Sequence, residues 1–201
     1  TEQYFLGWLN SRLITGLIEL QANAAEFNTG ILKVLPWAQP PADLHARVGD
    51  LAYSMAESAR ALKRLDETDQ YFIFAPELIG DFADQVAAVQ AEQDALKSQL
   101  MRGEALITQE IDNLYGVDSS ALEEKSQDEE CDDSDEDEET DLARLDFVYA
   151  SFLISGLIGA AFGRWDVRYA LDRSLLPELP GLFDPLPVCP HGMLKDDDGL
   201  P

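Results

Sequence analysis

The side chains best suited to chemistry form one cluster near the C-terminal end: Arg164, Trp165, Asp166 and Arg168. Two guanidinium groups just beyond an apolar stretch could bind phosphate oxygens, because arginine makes paired, charge-assisted hydrogen bonds with such groups. The same residues could instead form a structural Arg–Asp cap, and the acidic surroundings favour that interpretation. A phosphate contact and a structural pairing are therefore the two hypotheses for this cluster.

Motifs typical of catalytic or metal centres do not occur elsewhere in the sequence. There is no Gly-x-Ser-x-Gly, His-Glu-x-x-His or Cys-x-x-Cys pattern. The two histidines, His45 and His191, are far apart, and Cys189 with His191 supplies only two of the four ligands of a structural zinc site. We expect no catalytic, cofactor-binding or metal-binding residues in these 201 residues.

The charge of the chain limits how it could contact nucleic acid. The formal net charge is −25, and residues 123–141 alone contain 13 Asp and Glu against one Lys. Such a run of like charges predicts a solvated, disordered linker, because the charges repel and almost no apolar residue is present to be buried. The remaining sequence is still acidic, which excludes a broad basic DNA-binding face.

Regularly spaced apolar residues predict the helices that would position the cluster. Spacings of three and four residues indicate a first helix over 4–20, a second over 43–66 and a third over 78–114 that ends at Gly116, a typical C-terminal cap. We expect the second and third helices to pair antiparallel, because each presents a narrow apolar stripe.

Glycine and proline divide the intervening segments. We expect a turn at residues 28–30, a short strand over 31–35 and an extended crossing at 71–78. The prolines of residues 169–201 predict an extended tail without long regular structure. Its expected apolar anchors are Leu176, Leu179, Leu182, Phe183, Leu186 and Val188.

The most apolar stretch, residues 142–168, has no charged side chain between Phe147 and Gly163. One interpretation is a helix buried on all sides, inserted between the first helix and the antiparallel pair. The other is a short membrane span, since its length is slightly less than a bilayer core requires. The apolar stripes on the other helices need a partner in water and favour the buried helix.

Several stretches resemble the C-terminal region of large adenine-specific DNA methyltransferases, the PglX type of BREX phage-defence systems and the related type IIG restriction-modification enzymes. Two of them, FGRWDVR at 162–168 and LPELPGLFDPLPVCPHGML at 176–194, carry the resemblance near the C-terminal end. The others are the LNS-containing helix at 4–20, FNTGILKVLPW at 27–37 and the long helix ending in NLYGVD. His191 departs from the pattern, because a proline is expected there.

The resemblance implies a parent enzyme that transfers a methyl group from S-adenosylmethionine to adenine N6. Such an enzyme needs a glycine-containing loop after a strand and an Asn-Pro-Pro-Tyr/Phe motif that holds the flipped adenine, and neither occurs in this chain. The resemblance therefore implies a non-catalytic part. Lys33, in the segment that would close the target recognition domain, is a further candidate for a phosphate contact, or else a solvent-facing residue of an edge strand.

Together these observations predict a mainly α fold of about five helices. The expected segments are the end of a recognition domain (1–40), a helical spacer (41–122), the acidic linker (123–141), a buried helix (142–168) and a Pro-rich tail (169–201). The DNA-binding candidates are Lys33, Arg164 and Arg168. The expected partners are DNA through the parent enzyme, the rest of the methyltransferase chain and other phage-defence proteins, with no membrane and a cytoplasmic location. Two alternatives remain open: a helical protein–protein interaction module, and a membrane-anchored helical protein that uses residues 147–163.

Overall fold

Seven α-helices form the secondary structure in a computed structural model that describes residues 2–21, 29–76, 81–120, 138–185 and 187–196. The described residues contain no strand, so the prediction of a mainly α fold is confirmed. The helices are α1 (Glu2–Leu9), α2 (Arg12–Gln21), α3 (Thr29–Val34), α4 (Ala42–Leu62), α5 (Phe82–Tyr115), α6 (Glu138–Ala161) and α7 (Arg168–Leu171). Residues 123–137 of the predicted linker lie outside the described residues.

The chain divides into two units, each with its own core. The first unit comprises Thr1–Ala56 and Ser98–Asp133, and the second comprises Glu57–Lys97 and Ser134–Pro201. The core of the first unit consists of aromatic and aliphatic side chains from α1, α2, α4 and α5, among them Tyr4, Trp8, Ile14, Val48 and Ile111. The core of the second is mainly aromatic and includes Phe72, Phe74, Tyr149, Phe152 and Trp165.

Helices α4 and α5 pair antiparallel, as their apolar stripes predicted. In the first unit, Arg47 binds Glu110 at 3.0 Å and the Ser54 hydroxyl accepts a hydrogen bond from Gln99 at 2.8 Å. The residue number on α5 falls as the residue number on α4 rises, so the two helices run antiparallel. Helix α5 ends before Gly116, whose φ of 67° fits the predicted C-terminal cap.

The first predicted helix is interrupted at Asn10 and Ser11. The Ser11 hydroxyl donates to the Trp8 carbonyl at 2.7 Å, and the Asn10 side-chain amide donates to the Leu6 carbonyl at 2.8 Å. Serine and asparagine side chains compete in this way with the helical backbone. The spacing of apolar residues continues across the break, so the sequence pattern did not predict it.

The predicted strand over 31–35 is wrong, because Thr29–Val34 form a helix. Ile31 and Leu35 are both buried, whereas Leu32, Lys33 and Val34 are exposed. Burial four residues apart is the helical pattern, while a half-buried strand would have buried every second residue. The extended crossing is confirmed, since residues 72–76 have no helix and both Phe72 and Phe74 are buried.

The helix predicted over 142–168 is not buried on all sides. Helix α6 ends at Ala161, and Gly163 follows with a φ of 75°. One face, which includes Tyr149 and Phe152, packs in the core of the second unit. That buried face packs on aromatic residues of its own unit, and the predicted insertion beside the first helix stays a prediction. No helix among the described residues has the length and apolar character needed to cross a membrane.

The described residues of the Pro-rich tail have little regular structure, as predicted, and contain α7 and a short 3-10 turn at Arg173–Leu175. Its predicted anchors are largely wrong: Phe183 and Val188 are exposed, and Leu186 lies outside the described residues. The tail is held instead by Cys189, which is buried, and by the backbone around Gly192. A second attachment is Arg60, whose guanidinium donates to the carbonyl of Pro180 at 3.0 Å.

Candidate nucleic-acid contacts and the clusters around them

Arg168 is engaged by Asp166. The Asp166 carboxylate is buried and accepts hydrogen bonds from the Arg168 backbone N–H at 3.0 Å, from Nε at 2.8 Å and from Nη2 at 2.6 Å. These side-chain hydrogen bonds hold the pKa of Asp166 below its usual value and raise that of Arg168. The geometry is that of the structural Arg–Asp cap, with the rest of the guanidinium exposed to solvent.

Arg164 is exposed beside a buried tryptophan. Its guanidinium carbon lies 4.5 Å from the centre of the Trp165 ring, which is a cation–π contact. The pairing fixes the position of the Arg164 side chain but leaves it accessible to solvent. Of the two arginines in the cluster, Arg164 is therefore the one whose donors are less committed to a carboxylate.

The two C-terminal motifs meet at Trp165. This residue forms an isolated antiparallel bridge with Met193, the Asp166 N–H donates to the Gly192 carbonyl at 2.9 Å, and the Leu194 N–H donates to the Arg164 carbonyl at 3.1 Å. FGRWDVR and PHGML are thus paired along their backbones. The Gly192 N–H in turn donates to the carbonyl of Phe72 at 3.0 Å, which joins the pair to the extended crossing.

A glycine of α6 makes room for the tryptophan. A Cβ atom on Gly159 would lie 2.3 Å from Cδ1 and 2.4 Å from Nε1 of Trp165. Normal carbon–carbon contacts are about 3.5 to 4 Å, so no side chain fits unless the ring moves. The ring is also confined on its other side by Phe72, at 4.8 Å between ring centres.

A second junction lies in the first unit, at the hydroxyl of Tyr115. The hydroxyl donates to the Pro36 carbonyl at 2.6 Å and accepts from the Trp8 indole N–H at 3.0 Å and from the Ala38 N–H at 3.2 Å. Nearby, the ring of Trp37 stacks on Phe5 at 5.0 Å between centres. Tyr115 belongs to the NLYG motif, Trp8 to the LNS-containing helix and Pro36 to the LPW segment, so one hydroxyl joins three motifs.

Sequence reasoning missed this role of Tyr115. Its only signal was the position of a tyrosine just before the glycine cap of the longest helix, and that signal carries no information on a partner 79 residues away. Tyr4, in the same core, is stacked on His45, and burial raises its pKa to about 12. Burial of Tyr4 therefore favours the neutral form of its hydroxyl.

Lys33 lies on α3, exposed to solvent, and not on an edge strand. It belongs to the first unit, whereas Arg164 and Arg168 belong to the second. The three candidate phosphate contacts are thus divided between the two units, and only Arg164 and Arg168 are brought together by local structure.

One pocket of about 280 Å³ lies in the second unit, with Tyr71, Tyr149 and Phe152 among its walls. Its two arginines already have partners, since Arg64 pairs with Glu92 at 2.7 Å and Arg173 donates to the Ala75 carbonyl at 3.2 Å. The described residues contain no group of three or more His, Cys, Asp or Glu that could hold a metal ion.

No protein-family model, curated protein or solved structure matches this chain. The resemblance to adenine-specific methyltransferases therefore depends on the sequence motifs alone.

Proposed function

We propose that this chain is a non-catalytic part of a site-specific adenine-N6 DNA methyltransferase of a phage-defence or restriction-modification system, and that it braces the DNA target recognition domain. The parent enzyme would use S-adenosylmethionine and supply the catalytic residues from another part of its chain. DNA would be bound through the parent enzyme, and the rest of that enzyme and other phage-defence proteins would be the protein partners.

The observation that supports this proposal is that the motifs carrying the resemblance contact one another within each unit. The Tyr115 hydroxyl contacts the LNS-containing helix and the LPW segment, which lie 107 and 79 residues away. In the second unit, Trp165 pairs with Met193. These contacts show that residues of the separate motifs pack together in this chain, as a bracing unit would require.

The bracing role follows from the stiffness of this junction. The Tyr115 hydroxyl ties the carbonyl of Pro36 and the indole of Trp8 to the last turn of α5, a helix of 34 residues. In enzymes, a displacement of about 1 Å far from the chemistry can lower the rate about 100-fold. A loose junction would therefore reduce methyl transfer without touching a catalytic group.

Methyl transfer by the complete parent protein tests the proposal. The assay follows transfer of labelled methyl from S-adenosylmethionine to DNA for the wild type and the Tyr115→Phe variant. We expect adenine methylation at one target sequence and a loss of at least about tenfold in the variant. Tyr53→Phe makes the same chemical change at an exposed tyrosine of α4 and is the matched control. Absence of adenine methylation by the wild-type parent would refute the proposal.

One observation favours a second candidate, the helical interaction module. Several large apolar side chains of α6 are exposed, among them Phe147, Ile154 and Leu157, and exposed apolar patches of this kind mark protein interaction sites. An interaction module without methyltransferase activity would leave DNA unmethylated in the assay above, so the same experiment separates the two candidates.

A further inference from the structure

The exposed side of α6 is a continuous apolar surface. Its members share the side of the helix opposite the core and are Phe147, Ser151, Ile154, Leu157, Ile158, Ala161 and, one residue past the helix, Phe162. We call this surface the α6 outer face. Its five large apolar side chains are 52% to 86% exposed, with Phe162 the most exposed.

Helical geometry makes these residues contiguous. At about 100° per residue, Phe147, Ile154, Ile158 and Phe162 fall within a stripe about 80° wide that runs from Phe147 to Phe162. The Phe162 N–H still donates to the Ile158 carbonyl at 3.0 Å, so the helical turn includes it. Tyr149, Phe152 and Gly156 occupy the opposite, buried side.

The size of the surface calls for a cover. At about 200 Å² for a whole large apolar residue, the exposed fractions of the five side chains leave roughly 660 Å² uncovered. That is slightly more than the largest apolar patches on typical monomers, about 300 to 600 Å². It is also about four-fifths of the roughly 800 Å² that each partner contributes to a standard protein–protein interface.

We propose that the α6 outer face binds the α6 outer face of a second copy of this chain, with the two helices antiparallel. The sequence around the helix is polarised: residues 138–146 contain four Asp or Glu and one Arg, whereas residues 162–173 contain three Arg and two Asp. An antiparallel pair brings the acidic end of each copy near the basic end of the other. A parallel pair would place like charges together, which is unfavourable.

The extent of the stripe also fixes the register. Two copies cover the whole stripe on both sides only when the two-fold axis passes through its middle, between Ile154 and Ser155. Phe147 then lies opposite Phe162 of the second copy. The two Phe147 residues lie about 22 Å apart in such a pair, because fifteen residues of helix separate Phe147 from Phe162.

Sedimentation equilibrium of the 201-residue chain over a range of concentrations tests the association. We expect a monomer–dimer equilibrium whose dissociation constant rises at least about tenfold in Ile158→Asp, because the variant buries an unpaired charge. Leu20→Asp changes a similarly exposed residue of α2 and should leave the equilibrium unchanged. Unaltered circular dichroism shows that Ile158→Asp is folded. A wild-type chain that stays monomeric, or that binds phosphatidylcholine vesicles while Ile158→Asp does not, would overturn the proposal.

Disulfide cross-linking tests the direction and register, in a background with Cys131 and Cys189 replaced by Ser. Ile154→Cys should form covalent dimers by itself, since it lies near the axis. Phe147→Cys alone should not, because a disulfide requires Cα atoms within about 7 Å. A mixture of Phe147→Cys and Phe162→Cys should form the mixed dimer. Covalent dimers of Phe147→Cys alone, as a parallel pair would give, would overturn the antiparallel arrangement.

Discussion

Replacement of Gly159 by alanine sets two physical effects of opposite sign against each other. In the middle of a helix, alanine is more favourable than glycine by about 1 kcal/mol, so helix propensity alone predicts a more stable protein. At this position, however, the added Cβ would lie 2.3 Å from Cδ1 of Trp165. The relative size of the two effects decides the outcome.

The packing cost should be the larger effect. Relief of the contact requires the indole to move by more than about 1 Å, since carbon atoms pack at about 3.5 to 4 Å. Trp165 is 1% exposed, packs on Phe72 and is tied through its neighbour Asp166 to Gly192, so it has little room to move. Overpacking of this kind costs about 1 to 3 kcal/mol. With the propensity gain subtracted from the upper part of that range, we expect Gly159→Ala to lower the free energy of unfolding by about 1 to 2 kcal/mol.

Urea unfolding followed by tryptophan fluorescence measures this difference. Ser98→Ala is the control, because Ser98 is exposed in the interior of another long helix, α5, and should change the free energy of unfolding by less than about 0.5 kcal/mol. Gly159→Leu should be more destabilising than Gly159→Ala. A Gly159→Ala variant that is more stable than the wild type would refute the described packing of α6 on Trp165.

Three further predictions concern the two junctions and the phosphate candidates. Tyr115→Phe should lower the free energy of unfolding by about 2 kcal/mol in urea titrations, because it leaves the Trp8 indole N–H without its acceptor. An effect as small as that of Tyr53→Phe would contradict the hydrogen bonds described at the Tyr115 hydroxyl. Because Arg168 lowers the pKa of Asp166, the stabilisation by this pair should be complete above the usual value of 3.8 and should be lost as the pH falls further. When the free energy of unfolding is measured against pH, Asp166→Asn should lack this acid-induced loss of stability. A pH profile identical to that of the wild type would contradict the stabilising role of the pair. Arg164→Gln in the complete parent protein should weaken DNA binding equally for all sequences and reduce the salt dependence by about one counterion; unchanged binding in filter or anisotropy assays would exclude Arg164 as a phosphate contact.

The longest elements could be predicted because their apolar spacing has one interpretation. Helices α4 and α5 show spacings of three and four residues over many turns, and their antiparallel pairing follows from two narrow stripes. Gly116 could be predicted as the cap of α5, since glycine readily adopts the positive φ that ends a helix.

The shorter elements depend on local contacts that the spacing of apolar residues does not report. The break between α1 and α2 arises from hydrogen bonds of Asn10 and Ser11, while the apolar spacing continues through it. In the LPW segment, Ile31 and Leu35 fit a strand and a helix equally well by composition. Helix α6 was expected to be buried on all sides because it is apolar between Phe147 and Gly163, yet among its described side chains the covered face is the one with Tyr149 and Phe152.

The candidate site was predicted only where its partners are close in sequence. Asp166 and Arg168 are two residues apart, so their pairing could be anticipated as a structural cap. The bridge between Trp165 and Met193 and the contacts of Tyr115 join distant residues, and no periodicity in one sequence reports such contacts.

The most direct test of the central claim is single-molecule sequencing of DNA from the source organism, before and after deletion of the gene that encodes this chain. The proposed methyltransferase function predicts N6-methyladenine at one defined target sequence in the wild type and its complete loss in the deletion strain, with restoration by the intact gene. Methylation that is the same in both strains at every adenine target would contradict the account.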